Sequence, residues 1–203
     1  ILYGALVGLL GEALIGAFLV PLVLLLVLIF WALPEMQRIP DRPLEYLFFA
    51  FFVALIAWPN YIALALPGLP WITVTRLIGF PLAALLIFCA FVSAKFRATI
   101  RAPLAASPLI TALFLVFLVF EAFSVVVSRN LPVSLSKLII VQITWTTIFF
   151  CGCYIFVRPG RATIFAGLIC ITAVLVSLIG FREHSQGQVL WAGHIPGFLK
   201  VGD

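Results

Sequence analysis

The chain has 203 residues, of which 65% are hydrophobic and 9% are charged, and its mean hydropathy is +1.30. So little polar surface cannot cover a soluble globule, and recurring apolar runs of about 20 residues predict an all-α, polytopic transmembrane helical bundle of about six to seven spans. The net charge of +5 comes from basic residues spread over short connections without a basic-aromatic patch, which excludes a nucleic-acid-binding surface.

The first apolar run covers residues 1–33 and is too long for one straight span. As a single helix it would measure roughly 50 Å, against a hydrocarbon core of about 30 Å. We predict a hairpin near Gly11, Glu12 and Gly16, with a second span over residues 17–33, and one long span is the alternative. The sequence starts without Met and stops soon after an apolar run, so we expect it to be part of a longer protein.

Five further spans are predicted after this run. They cover residues 43–66, 71–93, 109–128, 134–157 and 162–181. Pro59 and Pro81 lie inside the first two of them, and proline removes a helix hydrogen bond, so both helices should kink or break near their outer third.

The connections between the spans predict the orientation. Residues 34–44, 94–107 and 158–161 hold seven of the twelve Lys and Arg residues, and the positive-inside rule therefore makes these connections cytoplasmic. Residues 1–181 then form the bundle, and residues 182–203 begin a loop on the outer face.

Three ionisable residues fall in the outer halves of apolar spans: Arg76, Glu121 and Lys137. A charge at membrane depth costs roughly 2.5–3.5 kcal/mol on insertion scales, so it needs a partner or a function. One interpretation is a polar cavity that binds a ligand. The alternative is structural, with Arg76 and Glu121 as a buried pair and Lys137 reaching the headgroups.

Polar residues form a stripe around Glu121. Ser124 and Ser128 follow it at helical spacing, and Gln142 and Thr144 continue the polarity in the next span. A lipid-facing surface would not need such a stripe, so we predict that it faces the interior of the bundle.

The cysteines and histidines do not predict a metal site. All four cysteines lie in apolar spans, and both histidines lie in the tail, so free buried thiols are the better interpretation. These residues are Cys89, Cys151, Cys153, Cys170, His184 and His194.

Several segments carry a resemblance to a known family. Trp58-Pro59-Asn60-Tyr61 is followed by Leu66-Pro67-Gly68-Leu69-Pro70-Trp71 and by Arg76 inside the next span. A later span runs from Glu121 into a Ser-rich outer turn, and the tail begins Phe181-Arg182-Glu183-His184. This succession resembles the N-terminal half of O-antigen ligase and exopolysaccharide polymerase-type membrane proteins.

The resemblance implies an enzyme that acts at the outer face of a bacterial inner membrane. Such proteins transfer a sugar chain from an undecaprenyl diphosphate carrier to an acceptor glycan or lipid, and we expect neither a metal nor a cofactor. Cationic side chains would stabilise the diphosphate, and a carboxylate or imidazole would activate the acceptor hydroxyl. The candidates are Arg76, Arg129, Lys137 and Arg182 for the diphosphate, and Glu121, Glu183 and His184 for catalysis.

The chain departs from the family pattern in one respect. Family members continue into a large outer loop with further catalytic Arg and His residues, which do not occur before Asp203, so we expect this part alone to be inactive. Half of a secondary transporter, with the polar stripe along a path at the membrane midplane, is the main alternative. A non-catalytic membrane subunit is the third.

Overall fold

A computed structural model describes residues 39–58, 62–64 and 72–187, with isolated positions between 25 and 36. Its helices are α1 (Asp41–Ala57), α2 (Val74–Val92), α3 (Ala94–Ala106), α4 (Pro108–Val126), α5 (Leu131–Val141), α6 (Thr147–Ile155) and α7 (Arg161–Gln186). The π-helical stretch Gln142–Thr146, called the π-segment below, joins α5 to α6. Strands β1 (Ala63–Leu64) and β2 (Ile72–Thr73) pair antiparallel. The predicted hairpin in residues 1–33, the connection 67–70 and the tail from 188 onward lie outside the described residues.

Among the described residues, four helices are long and apolar enough to cross a membrane: Val74–Val92, Pro108–Val126, Val133–Ile155 and Arg161–Gln186. They coincide with four of the predicted spans, which confirms a mostly helical fold and fits a membrane protein. The last of them runs to Gln186, so residues 182–186, which we predicted to begin an outer loop, are helical. The total of six to seven spans stays a prediction.

The predicted break near Pro59 is found slightly earlier. Helix α1 ends at Ala57, and Trp58 adopts an extended conformation with φ −95 and ψ 120. The α conformation is sterically disfavoured for a residue that precedes proline, which accounts for the end of the helix before Trp58. The second expected break does not occur, because α2 continues through Pro81 as a single helix.

Helix α3 occupies what we predicted only as a basic connection. Phe96 and Ile100 lie one turn apart and are buried, whereas Lys95 and Arg101 are exposed. The Oγ of Ser93 caps the helix by accepting a hydrogen bond from the Phe96 amide at 3.4 Å. A short helix with one apolar and one basic face is typical of a segment that lies along a membrane surface.

The core lies between α1, α2, α3 and α6. Its fully buried side chains include Phe48 on α1, Leu82 on α2, Phe96 on α3 and Cys151 on α6. Helix α7 packs against α1 through Phe165, whose ring centroid lies 4.8 Å from that of Phe52 on α1. Few residues of α4 and α7 are buried in the described part of the chain.

The three basic connections meet at one end of the bundle, called the basic end below. Glu35 Oε1 accepts a hydrogen bond from the Ala94 amide at 3.1 Å, which joins the first connection to the second. Arg158 Nη2 lies 2.7 Å from Asp41 Oδ1, which joins the first to the third. These contacts confirm that the connections share one side, as the orientation prediction requires.

Candidate functional site

A cavity of about 380 Å³ lies at the N-terminus of α2, at the end opposite the basic end. Thr73 caps the helix, since its Oγ1 accepts a hydrogen bond from the Arg76 amide at 3.3 Å, and it shares a second hydrogen bond with Thr75 at 2.8 Å. A helix N-terminus carries partial positive charge, to which Arg76 adds a full one. We call this space the Arg76 cavity; it is lined by Phe51, Leu55, Thr73, Thr75, Arg76, Phe80, Ile140, Ile143 and Thr144.

Gly79 sets the distance between α2 and the π-segment below this cavity. A Cβ atom built at Gly79 would lie 3.0 Å from Ile143 Cγ2 and 3.2 Å from Phe51 Cε2. Both distances are shorter than ordinary van der Waals contacts. The absence of a side chain at Gly79 therefore lets Ile143 form part of the cavity wall.

Glu121 on α4 is hydrogen-bonded to the π-segment. Gln142 Nε2 donates to Glu121 Oε2 at 2.9 Å, and Thr146 Oγ1 donates to Gln142 Oε1 at 2.6 Å. Thr147 Oγ1 donates to the Gln142 carbonyl at 3.2 Å. Gln142 thus connects a half-buried carboxylate to two hydroxyl groups near the middle of a span. We call these residues the Glu121–Gln142 chain.

The predicted polar stripe faces the neighbouring helix only in part. Glu121 contacts Gln142, and Ser128 Oγ lies 2.6 Å from Ser134 Oγ on α5. Ser124 is exposed, and its hydroxyl donates to the Glu121 carbonyl within α4 at 2.7 Å. The interior orientation is therefore confirmed for Glu121 and Ser128, and it is wrong for Ser124.

The buried pair that we considered between Arg76 and Glu121 does not form within the described residues, where the Glu121 carboxylate is bound by Gln142. Arg129 is exposed in the turn between α4 and α5, and Lys137 is exposed on α5. These two cations lie on the same helical hairpin as Glu121.

The remaining candidates lie on the last turn of α7. Arg182 and His184 are exposed there, and Glu183 is partly buried. They belong to a helix and not to the loop in which we had placed them. Their part in a site stays a prediction.

An ion-pair cluster at the basic end was missed by the sequence analysis. Tyr154 donates a hydrogen bond to Asp41 Oδ1, and Arg158 Nη2 donates to the Tyr154 hydroxyl at 2.6 Å. Arg161 Nη1 lies 2.8 Å from Oε1 of Glu45, which is buried. The signal was present, because two carboxylates lie one turn apart at the start of α1, and one arginine precedes α7 while another begins it. We had used Arg158 and Arg161 only to orient the chain.

The pKa of Arg158 reflects its interactions within this cluster. Partial burial acts to lower its pKa, but the hydrogen bond to Asp41, the charge of Asp41 and the contact with the Tyr154 hydroxyl outweigh burial and raise the pKa. Arg158 is therefore a permanent cation that ties the turn before α7 to the start of α1.

No three His, Cys, Asp or Glu residues lie close enough to hold a metal ion in the part of the chain that the structure describes. Comparison with protein-family models, with curated proteins and with solved structures gives no match to this chain. The resemblance to O-antigen ligases and polymerases stays a prediction.

Proposed function

We propose that the Arg76 cavity binds the diphosphate of an undecaprenyl-linked glycan, and that the chain is part of a membrane glycan polymerase or ligase. The observation that carries this proposal is one cavity that combines a guanidinium, a helix N-terminus and threonine hydroxyls with the apolar walls of Phe51 and Phe80. A phosphate needs the first three groups, and an isoprenoid chain needs the last. Glu121 is proposed as the group that activates the acceptor hydroxyl, held in position by Gln142.

Binding of undecaprenyl diphosphate to the chain in nanodiscs tests the proposal. Arg76→Gln should weaken binding by at least tenfold, because a charged hydrogen bond to phosphate contributes about 1.5–3 kcal/mol. Arg76→Lys should recover only part of the affinity, since an ammonium group keeps the charge but loses the two-pronged geometry.

Arg42→Gln is the matched control. Arg42 is an exposed arginine in the first turn of α1, at the basic end. Its replacement removes the same charge without touching the cavity and should leave binding unchanged. Equal affinity for the wild type and Arg76→Gln would contradict the proposal.

A second function is supported by a different observation. Gln142 lies near the middle of the Val133–Ile155 span, inside a π-segment, and is hydrogen-bonded to the carboxylate of Glu121. Polar groups at an interruption of the helix near the midplane are typical of transporters, and π-helical turns are frequent at functional sites. Half of a secondary transporter is therefore the alternative proposal.

Binding and uptake experiments in proteoliposomes distinguish the two proposed functions. The glycan-transfer proposal expects binding of undecaprenyl diphosphate that depends on Arg76, with no uptake of soluble solutes. The transporter proposal expects uptake that Gln142→Leu abolishes and Arg76→Lys preserves.

A further inference from the structure

A second groove, of about 500 Å³, lies near the basic end between α2, α3 and the helix that contains the π-segment. Its walls are mostly apolar, with Leu86 and Ala90 from α2, Ile100 from α3 and Phe150 from α6. Three residues of the Glu121–Gln142 chain also line it: Gln142, Thr146 and Thr147. Ile87 and Phe91 on the same wall are 46% and 44% exposed, so the groove opens onto the outside of the bundle. We call it the α2–α3 groove.

Two arginines line the α3 side of this groove. Arg97 Nη1 donates to the carbonyl oxygens of Ala90 and Phe91, each at 3.0 Å, which fixes the guanidinium at the C-terminal turn of α2. Arg101 follows one turn later on α3, is exposed, and forms no ion pair or hydrogen bond with another described residue. None of the described residues that line the groove is acidic.

We propose that the α2–α3 groove binds one anionic phospholipid, with an acyl chain against the apolar walls and the phosphate at Arg97 and Arg101. The volume lies within the roughly 300–1,000 Å³ of small-molecule sites. Guanidinium groups bind phosphate oxygens in pairs, and a basic amphipathic helix places them at headgroup level. Charge complementarity therefore selects an anionic lipid over a zwitterionic one.

This site differs from the Arg76 cavity in position and in the groups that it offers to a lipid. Arg76 lines only the Arg76 cavity and the two α3 arginines line only this groove, whereas Ile143 lines both spaces. The phospholipid comes from the leaflet at the basic end. The proposal does not depend on the glycan-transfer function.

Native mass spectrometry of the intact chain in mild detergent tests the proposal, with phosphatidylglycerol and phosphatidylcholine of identical acyl chains as probes. The wild type should bind phosphatidylglycerol more tightly. Arg101→Gln should lower that affinity about fivefold, the effect of one basic residue near a membrane surface, and should bring it close to the affinity for phosphatidylcholine. Lys95→Gln is the matched control, because Lys95 is exposed on α3 but does not line the groove.

A pair of alanines on α2 tests the acyl-chain part of the site. Ala90→Leu fills the groove and should lower the binding of both lipids, whereas Ala84→Leu, on an exposed position outside the groove, should leave both unchanged.

Equal binding of the two lipids by the wild type, full phosphatidylglycerol binding by Arg101→Gln, or no effect of Ala90→Leu would each overturn the proposal. Arg101 has no partner in the described fold, so its replacement tests binding without loss of structure. The proposed site for undecaprenyl diphosphate contains Arg76 and not Arg101, so failure of one proposal is distinguishable from failure of the other.

Discussion

Single charged residues in this chain differ in how much water reaches them. The side chain of Glu45 is 9% exposed, whereas that of its partner Arg161 is 35% exposed. A carboxylate in that position depends on its partner, because water cannot replace the lost ion pair. The guanidinium on the other side of the pair keeps contact with solvent.

This difference predicts an asymmetric effect of mutation on stability. Arg161→Gln leaves a buried carboxylate without its cation and should cost about 2–3 kcal/mol, the range for a broken ion pair reduced for partial exposure. Glu45→Gln should cost about 1 kcal/mol or less, because Arg161 then turns to water. Thermal unfolding of the two variants in detergent measures both values.

The double variant completes the test at Glu45 and Arg161. Glu45→Gln combined with Arg161→Gln should be more stable than Arg161→Gln alone, since no uncompensated charge remains. Equal costs for the two single variants would show that burial of Glu45 does not control the pair.

At the scale of the helix, close packing depends on where glycine occurs. Gly79 on α2 lies so close to Ile143 and Phe51 that both side chains would have to shift by a few tenths of an ångström to admit a methyl group. Gly167 on α7 has no atom within 4 Å of the position that a Cβ would take. The same substitution therefore has opposite consequences on two helices.

Gly79→Ala should destabilise the chain, and Gly167→Ala should not. Replacing glycine by alanine favours a helix by up to about 1 kcal/mol, but overpacking costs about 1–3 kcal/mol and outweighs that gain at Gly79. Melting temperatures of the two variants give the comparison. A Gly79→Ala variant at least as stable as Gly167→Ala would contradict the close approach of α2 to the π-segment.

The sequence predicted four of the apolar spans well, because length and composition alone decide them. The predicted span 43–66 was wrong in its second half, since α1 ends at Ala57 and β1 covers Ala63–Leu64. The sequence did not predict α3, since a short amphipathic helix is too polar to register as a span although Phe96 and Ile100 have helical spacing.

The sequence placed Gln142 next to the polar stripe but did not predict the hydrogen bond to Glu121, because residues distant in sequence meet only through the packing of their helices. The pair of Arg76 and Glu121 was one of two interpretations left open. The prolines predicted the helix breaks only in part. The helix α1 ends where a break was expected, whereas α2 continues through Pro81, because neighbouring groups can replace the hydrogen bond that a proline removes.

At the scale of the whole molecule, the two ends of the bundle have different chemistry. The basic end holds three cationic connections and the ion-pair cluster, whereas the opposite end holds the Arg76 cavity and the hydroxyl contacts of the α4–α5 turn. From the positive-inside rule we expect the basic end to be cytoplasmic. With that orientation the Arg76 cavity would face the outer side.

Cysteine labelling in intact cells tests this orientation. Val127 in the turn after α4 and Ala98 on α3 are exposed at opposite ends, and a Cys170→Ser background removes the exposed native thiol. Val127→Cys should react with a membrane-impermeant maleimide added outside, and Ala98→Cys should react only after the membrane is permeabilised. The reverse pattern would invert the topology and would move the Arg76 cavity to the cytoplasm.

The π-segment also affects the rotational phase of the residues that follow it. A π turn closes hydrogen bonds between residues five apart, so it holds one residue more than an α turn. Loss of a single residue within Gln142–Thr146 would therefore convert this turn to α-helix and leave α6 in phase, with Tyr154 and Arg158 still facing Asp41. Loss of one residue at the start of α6 would instead turn the rest of that helix by about 100°, and Tyr154 would rotate away from Asp41. Both shortened sequences would pass any hydropathy criterion for a span, so hydrophobicity does not record the angular position that distinguishes them.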